Sequence, residues 1–182
     1  YALAASGLLV PRLGGPSVKP YQPDGVWEAV AMIGSNTRDY RRDSGEALYR
    51  RSMYTFWKRS APPASMEIFN APSRETCVVR RERTNTPLQA LVTLNDVQFV
   101  EAARVLAERT LKEGGAKTED RIDFLAKHLL ARSFRPEEAA VVKNLLDDLL
   151  GDFRKKPEEA RQLIAYGESK ADPSIDAQTL AG

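Results

Sequence analysis

Aromatic and cationic side chains alternate in one stretch of the chain, residues 48–59, which ends before Pro62. Guanidinium and ammonium groups stack on aromatic faces and bind carboxylates, sulfates or phosphates. Two interpretations remain open. Either Arg50, Arg51 and Arg59 form ion pairs with the chain's own carboxylates, or this stretch builds a site for an anion or a sugar. Its candidate ligand-binding residues are Tyr54, Trp57, Lys58 and Arg59.

A second polar cluster, residues 80–89, precedes and opens a predicted helix with the sequence Arg-Arg-Glu-Arg-Thr-Asn-Thr-Pro-Leu-Gln. Backbone amides at a helix N-terminus, together with such side chains, can hold a carboxylate, sulfate or phosphate. The interpretation we favour is structural: Arg83 and Asn85 fasten the long loops to the helices through buried hydrogen bonds. The candidate ligand-binding residues of this cluster are Arg80, Arg83, Asn85 and Gln89.

The sequence offers no complete catalytic or metal-binding set. His128 is the only histidine, so a zinc site or a Ser–His pair is not expected, and we predict a partly exposed helix residue. Cys77 is the only cysteine, which excludes an internal disulfide, and without a histidine base we predict a small buried residue. There is no Cys-x-x-Cys-His motif for haem. We therefore name no catalytic residue, no metal ligand and no cofactor within this chain.

The elements that position these clusters fall into three zones of one domain fragment, residues 1–182. Residues 1–45 are rich in Pro and Gly, which predicts an ordered loop region anchored by Trp27 and Tyr21, with at most a short helix at 26–32. In the aromatic and Arg-rich segment, 46–83, we predict a helix from about Gly45 to Arg59, with a short strand as the competitor. A linker over 61–73 follows.

Residues 84–182 have the apolar spacing of helices. Thr86, Pro87 and Gln89 form a capping-box pattern, and further starts follow at 95–96, after Thr118, at Pro136 and at Pro157. The predicted fold is therefore mainly α: a small helical bundle with a long, ordered, Pro/Gly-rich N-terminal region. The helix that begins at Pro136 is expected to bury Val142, Leu145, Leu146, Leu149 and Phe153.

The charges of the whole chain nearly cancel, with 27 Lys and Arg against 25 Asp and Glu, but they are unevenly distributed. Residues 38–83 contain 11 basic and 6 acidic residues, a net of +5, whereas 84–182 contain 14 and 17, a net of −3. No helix-turn-helix, zinc-finger or ribonucleoprotein signature is present, so a nucleic-acid partner is not expected. No apolar run approaches the roughly 18–20 residues of a transmembrane segment.

Five segments carry a recognisable pattern, at residues 14–23, 49–59, 71–77, 80–91 and 94–102. Together they closely resemble the domain of unknown function 1553 (DUF1553), and the resemblance extends over roughly residues 1–182. It departs from the family pattern at Val97, where proline is more frequent, so a softer break between two helices is expected there. The family also commonly continues past Gly182 into one more apolar helix. If that helix is absent here, we expect its docking groove to be exposed.

The resemblance implies the C-terminal part of a large planctomycete-type protein, in which such domains follow a cytochrome-c-like module and a second domain of unknown function, DUF1549. It implies an exported protein of the cell envelope or periplasm, with haem in another module, and no established activity. Two functions remain open. One is a non-catalytic interaction or scaffold domain that contacts the upstream domains and binds an anionic or carbohydrate ligand. The alternative is part of an enzyme acting on cell-envelope or complex polysaccharides, with a site shared with upstream domains.

Overall fold

The structure, a computed structural model, describes all residues from Tyr1 to Gly182, and its mainly α fold is the predicted one. Short 3₁₀ helices lie at Glu28–Val30, Gly45–Tyr49 and Ser52–Tyr54, and β-pairing is limited to isolated bridges. The chain forms two compact units, Leu9–Phe99 and Tyr1–Leu8 with Val100–Gly182. The α-helices are α1 (Ala2–Ser6), α2 (Ala64–Ile68), α3 (Pro87–Asn95), α4 (Val97–Glu113), α5 (Thr118–Leu130), α6 (Pro136–Lys155), α7 (Pro157–Ile164) and α8 (Ala177–Ala181).

The unit of residues 9–99 begins as loops joined by single backbone bridges. Val10 pairs with Arg50 and Val18 with Thr55, both in parallel orientation. Val18 donates to the carbonyl of Tyr54 at 2.8 Å and accepts from the amide of Phe56 at 2.8 Å. These few bonds set the register between the N-terminal loop and the aromatic stretch, because no continuous strand or long helix does so.

Trp27 is the centre of this unit, with 2% of its surface exposed, which confirms its predicted role as an anchor. Lys19 and Lys58 place their ammonium groups 5.3 and 4.8 Å from the Trp27 ring centroid. Tyr40 meets the indole edge-on at 4.9 Å, and Phe56 lies at 5.5 Å. We call these five residues the Trp27 cluster. A core of this kind suits loops, since its side chains come from four separate segments of backbone, at residues 19, 27, 40 and 56–58.

The predicted helix from Gly45 to Arg59 is wrong. The chain forms two short 3₁₀ turns there and passes through extended backbone at Arg50 (φ −69°, ψ 158°) and Thr55 (φ −63°, ψ 130°). The run from Tyr54 to Trp57 is aromatic and β-branched, which favours extended backbone over helix. The helix α2 was also missed, because it lies inside the predicted linker.

The predicted start of α3 is confirmed. The Thr86 hydroxyl accepts from the Gln89 amide, and the Gln89 side chain accepts from the Thr86 amide, which completes the capping box. The break after α3 is well defined despite Val97. Asp96 has extended backbone (ψ 131°), and its side chain accepts a 2.9 Å hydrogen bond from the amide of Gln98. The Asp96 carboxylate therefore caps the first turn of α4, although position 97 is not a proline.

The other unit is a helical bundle whose core consists largely of small residues. Ala102, Ala126 and Ala160 are buried together with Leu106 and Ile122. In the N-terminal helix α1, the carbonyl of Ala5 accepts a 3.0 Å hydrogen bond from Arg109 of α4. Alanine side chains let helices approach closely, but each removes little apolar surface from water.

Charged side chains of α4 fasten the segment after α7. Glu101 is 1% exposed, and its Oε1 accepts from the amide and the hydroxyl of Ser169 at 2.7 and 2.6 Å. Arg104 donates to the Ser169 carbonyl at 2.7 Å and forms an ion pair with Glu108. Buried charges require such partners, because an unpaired ion in the interior costs several kcal/mol.

The expectation that α6 buries its apolar stripe is wrong. No residue of α6 is fully buried, and Leu145 and Leu149 are 56% and 37% exposed. Val142, Leu146 and Phe153 are only half-buried. The amphipathic pattern identified the helix correctly, but the small residues of the core leave little area for α6 to cover. None of the eight α-helices is long and apolar enough to cross a membrane.

We expect Gly167→Ala to destabilise the chain by about 2–3 kcal/mol. Gly167 has φ +93°, and a Cβ there would lie 2.6 Å from Cγ of the buried Glu101. Gly151 is the control because it lies within α6 with nothing within 4 Å of the added carbon. Gly151→Ala should therefore stabilise by about 0.5–1 kcal/mol. Urea unfolding followed by circular dichroism measures both, and equal effects would contradict the close packing at Gly167.

The hydroxyl of Tyr40 should make the stability of the chain depend on pH in the alkaline range. Its hydroxyl donates to the carbonyl of Pro20 at 2.6 Å, and burial, with a smaller contribution from the Asp43 carboxylate, raises its pKa above the ordinary range. A raised pKa means that the folded state favours the neutral phenol. Its stabilisation is therefore present below about pH 10, where an unfolded tyrosine ionises, and is lost above that pH.

Tyr40→Phe should lower stability by about 1 kcal/mol at neutral pH, because the bond to Pro20 is lost, and should flatten the decline above pH 10. The free energy of unfolding across an alkaline pH series tests this. Phenolate absorbance should show one tyrosine that resists ionisation in the folded chain. Identical alkaline declines in the two proteins would contradict the burial of this hydroxyl.

Candidate functional site

Two of the candidate residues from the aromatic stretch serve the fold. Lys58 donates to the carbonyl of Thr37 at 2.8 Å and lies over the ring of Trp27. The Tyr54 hydroxyl accepts from the amide of Gly14 at 2.8 Å, and the guanidinium of Arg50 lies 4.1 Å from its ring centroid. Both side chains therefore fix loops and have little left to offer a ligand.

The interpretation that the arginines of this stretch form ion pairs with the chain's own carboxylates is confirmed only in part. Arg59 forms the expected ion pair with a carboxylate of the chain, Glu75, at 2.7 Å. Arg50 is buried, stacks on Tyr54 and donates to the carbonyls of Arg12 and Gly14, so its partners are backbone oxygens. The sequence identified the aromatic stacking, whereas the backbone partners depend on how the loops close.

Trp57 and Arg59, the other two candidates, line one open depression of about 360 Å³ together with Ser73, Arg74 and Glu75. The depression joins a half-buried indole ring to a hydroxyl, two guanidinium groups and a carboxylate. Such a set can bind a sugar ring or a small anion, because the indole supplies a flat apolar face and the charged groups supply directed hydrogen bonds. We call these five residues the Trp57 depression.

Arg74 holds one side of the depression in place. Its guanidinium lies 4.8 Å from the Trp57 ring centroid and donates to the carbonyls of Thr55 and Ser52 at 3.2 and 3.1 Å. Its backbone has φ +66°, a left-handed conformation that costs a non-glycine residue about 1–2 kcal/mol. The two carbonyl bonds and the stacking offset that cost and fix the guanidinium over the ring.

The ion pair between Arg59 and Glu75 sets the charge of the depression. Their hydrogen bond, with the charge attraction as a second cause, raises the pKa of Arg59 and lowers the pKa of Glu75. Both groups therefore stay ionised at neutral pH. The Glu75 carboxylate is therefore not poised to donate a proton at neutral pH.

Sequence reasoning did not assign a role to Ser73, Arg74 or Glu75. The first lies at the end of the predicted linker, and the other two belong to a string used only for the family resemblance. The pairing of Arg59 with Glu75 spans 16 positions of loop, so no helical or strand period points to it. The Arg-Glu pair that follows Pro72 and Ser73 was the only local signal.

Three candidates from the second cluster, Arg80, Arg83 and Asn85, are exposed and make no hydrogen bond or ion pair within the chain. The interpretation that Arg83 and Asn85 fasten the loops through buried hydrogen bonds is therefore wrong. Nor does the N-terminus of α3 form an anion cradle. Pro87 has no amide hydrogen, and the capping box already occupies the amides of Thr86 and Gln89.

Gln89 performs the fastening that was expected of its neighbours. It is 7% exposed, and its Nε2 donates to the carbonyl of Ile68 at 2.9 Å and to the Thr84 hydroxyl at 2.8 Å. Asn70 donates to the same hydroxyl at 2.7 Å. Thr84 and Gln89 thus join the end of α2 to the start of α3.

The two residues with reactive side chains stand apart from these groups. Cys77 is exposed, so the prediction of a buried residue is wrong: it lies in a loop whose residues 72–86 are all exposed. His128 is half-buried on α5, as predicted, with Nδ1 3.0 Å from the carbonyl of Phe124. No group of three or more His, Cys, Asp or Glu side chains is arranged to hold a metal ion.

Gln89→Ala should destabilise the chain by about 2–3 kcal/mol, because it removes the capping box and the two hydrogen bonds of Nε2 to Ile68 and Thr84. Asn85→Ala is the matched control and should change stability by less than about 0.5 kcal/mol, since Asn85 is exposed and makes no hydrogen bond. Thermal unfolding of both variants compares them directly. A larger loss for Asn85→Ala would restore its fastening role.

Comparison with known proteins adds one family to this picture. The family model of PSD1, a protein of unknown function (DUF1553), matches residues 1–146. The match covers the Trp57 depression, the exposed loop and α3, and it ends within α6. No curated protein and no solved structure matches the chain. The match extends over most of the 182 residues, and the chain belongs to the PSD1 (DUF1553) family.

Proposed function

We propose that this chain is a non-catalytic interaction domain whose Trp57 depression binds a carbohydrate, with room for an anionic substituent. The observation that supports the proposal is the combination of an accessible indole with four polar side chains in one open depression. The C–H face of a sugar ring packs on an aromatic ring, and hydroxyl groups bond to the carboxylate and guanidinium groups at its rim.

The charges of the depression favour a neutral or acidic sugar over a basic one. Arg59 and Arg74 contribute two positive charges against the single negative charge of Glu75. Arg59 is 78% exposed on its side chain, so it can rotate to meet a carboxylate or sulfate without a buried bond being broken. Arg74 is fixed by two carbonyls and acts as part of the platform.

The absence of an activated nucleophile or an acid–base pair in the depression supports a binding role. Glu75 is the one carboxylate, and its lowered pKa makes it a poor proton donor at neutral pH. A glycosidase of the usual type needs two carboxyl groups on opposite sides of the scissile bond. Binding alone is the function that these five residues can perform together.

The test uses the full chain and three soluble polysaccharides: neutral dextran, polygalacturonate and dextran sulfate. Affinity gel electrophoresis should show retention by at least one of them. Trp57→Ala should weaken that binding at least tenfold, since it removes the platform. Tyr166→Ala is the control, because Tyr166 is an exposed aromatic residue outside the Trp57 depression, with 52% of its surface accessible.

Both variants should keep the circular dichroism spectrum and the melting temperature of the parent chain to within a few degrees. Retention of none of the three polymers, or equal retention of the Trp57→Ala and parent proteins, would contradict the proposal. Unfolding of Trp57→Ala would assign Trp57 to the fold. In that case Arg59→Gln, at a highly exposed side chain, provides the deciding measurement.

A second candidate function is supported by Arg83 and Asn85. Both are exposed and unpaired within the chain, so they are free to complete a site with another domain. The corresponding proposal is an enzyme acting on cell-envelope or complex polysaccharides, with a shared active site. Hydrolysis of such polymers by the full-length protein, lost in Arg83→Ala and retained in Trp57→Ala, would favour it over simple binding.

The family resemblance adds the setting to this proposal. From it we propose an exported protein of the cell envelope, in which the domain follows a haem-containing module and has the upstream domains as its first partners. This setting suits a domain that holds a polymer while chemistry takes place elsewhere. Fractionation of cells that express the full-length protein tests the location, and the haem absorbance of the purified protein tests the module.

A further inference from the structure

Beyond the proposed function, we propose that residues 77–94 form a protein-docking surface for an acidic amphipathic helix of another protein or domain. The surface consists of three arginines and five apolar residues, and it shares no residue with the Trp57 depression. Its members are Arg80, Arg81, Arg83, Val78, Val79, Leu88, Leu91 and Leu94.

The loop of this surface is fixed at both ends and free in the middle. At one end Arg74 donates to the carbonyls of Ser52 and Thr55. At the other end Thr84 is held by Asn70 and Gln89. Between these anchors no side chain of residues 77–83 makes a contact with the rest of the chain that would bury it. A segment held in this way is presented to solvent at a defined place, unlike a terminus or a long linker.

The apolar residues of this surface are exposed to water, which is energetically unfavourable for apolar side chains. Val79 is fully exposed, and Val78 is 49% exposed. Leu88, Leu91 and Leu94 of α3 are 53%, 57% and 74% exposed, and they follow one another at a spacing of three residues. Neighbouring apolar residues exposed in this way mark interaction surfaces, whereas single ones do not. Leucines at this spacing form a broad ridge that packs against a second helix.

The three arginines of the surface indicate that the partner carries negative charge. Arg80, Arg81 and Arg83 lie within four positions and have no carboxylate partner in the chain. The one acidic residue among them, Glu82, leaves a net charge of +2 on residues 77–94. Side chains of the same sign repel each other, and carboxylates of a bound protein remove that repulsion. The partner therefore combines an apolar stripe with flanking Asp or Glu.

A lipid surface fits these residues less well. Amphipathic helices that lie on membranes have cations along their polar face. The nine residues of α3 include no Lys or Arg, and all three arginines precede the helix. A polyanion such as a glycan would use the arginines but leave the leucines exposed. Only a protein surface with both properties uses all eight residues.

The experiment measures fluorescence anisotropy of a labelled helical peptide, with leucines on one face and glutamates beside them, titrated with the full chain. Two peptides are controls, one with Lys in place of Glu and one with Gln in place of Leu. We expect saturable binding of the acidic leucine peptide, several-fold weaker at high salt because exposed ion pairs are screened. Both control peptides should bind at least tenfold more weakly.

The protein variants are matched for charge and for apolar area. Arg80→Glu with Arg81→Glu and Arg83→Glu should weaken peptide binding at least tenfold, and so should Leu88→Gln with Leu91→Gln and Leu94→Gln. The charge control changes Arg38, Arg41 and Arg51 to Glu, and the apolar control changes Leu13, Met32 and Ile33 to Gln. All six control positions are exposed, and both control proteins should bind as the parent does.

Three results would overturn the inference. The first is no saturable binding of the acidic leucine peptide. The second is binding that the control variants reduce as much as the surface variants do. The third is selective binding of anionic phosphatidylserine vesicles or dextran sulfate in place of the peptide. The Trp57→Ala protein separates this inference from the proposed function, because it should lose polysaccharide binding and keep peptide binding.

Discussion

The attraction between two ammonium groups and one indole ring is the interaction on which the loop-rich unit depends. Lys19 and Lys58 lie over Trp27, and each also fixes backbone: the amide of Lys19 donates to the Asp43 carboxylate at 2.7 Å, and the ammonium of Lys58 donates to Thr37. Each cation–π contact is worth about 0.5–2 kcal/mol. Around Trp27 these contacts replace the hydrogen-bond ladders that hold most small domains together. They also explain why a region dense in Pro and Gly is ordered.

In the helical unit, buried charged side chains hold the backbone in place. Its α4 presents Glu101 and Arg104 inward, and both meet Ser169. This arrangement selects one position for the irregular segment after α7, since another position would leave a buried charge without partners. In both units a charged side chain fixes distant backbone, the ammonium of Lys58 in one and the carboxylate of Glu101 in the other.

The helices after Thr84 could be predicted because their signals are local. A capping box, prolines at first positions and apolar residues at helical spacing specify α3 to α7 within a few residues. The aromatic stretch could not be predicted in this way, since its backbone follows bridges to residues 10 and 18. Composition identified Trp57 and Arg59 as ligand candidates and left out Arg74 and Glu75, which complete the Trp57 depression. Arg74 and Glu75 could not be found in this way, because loop closure alone brings them to Trp57 and Arg59 from a distant part of the sequence.

One feature of the chain's topology bears on how the molecule folds. The helical unit combines residues 1–8 with residues 100–182, and Arg109 reaches back to Ala5 across 104 positions. The helix α1 is synthesised before α4 and must wait for α4 before it finds its partner. Closing so long a segment carries a large entropic cost when the segment is unstructured, and a smaller one after residues 9–99 have folded. The order of events favours the loop-rich unit first, although the helical unit contains the stronger local signals.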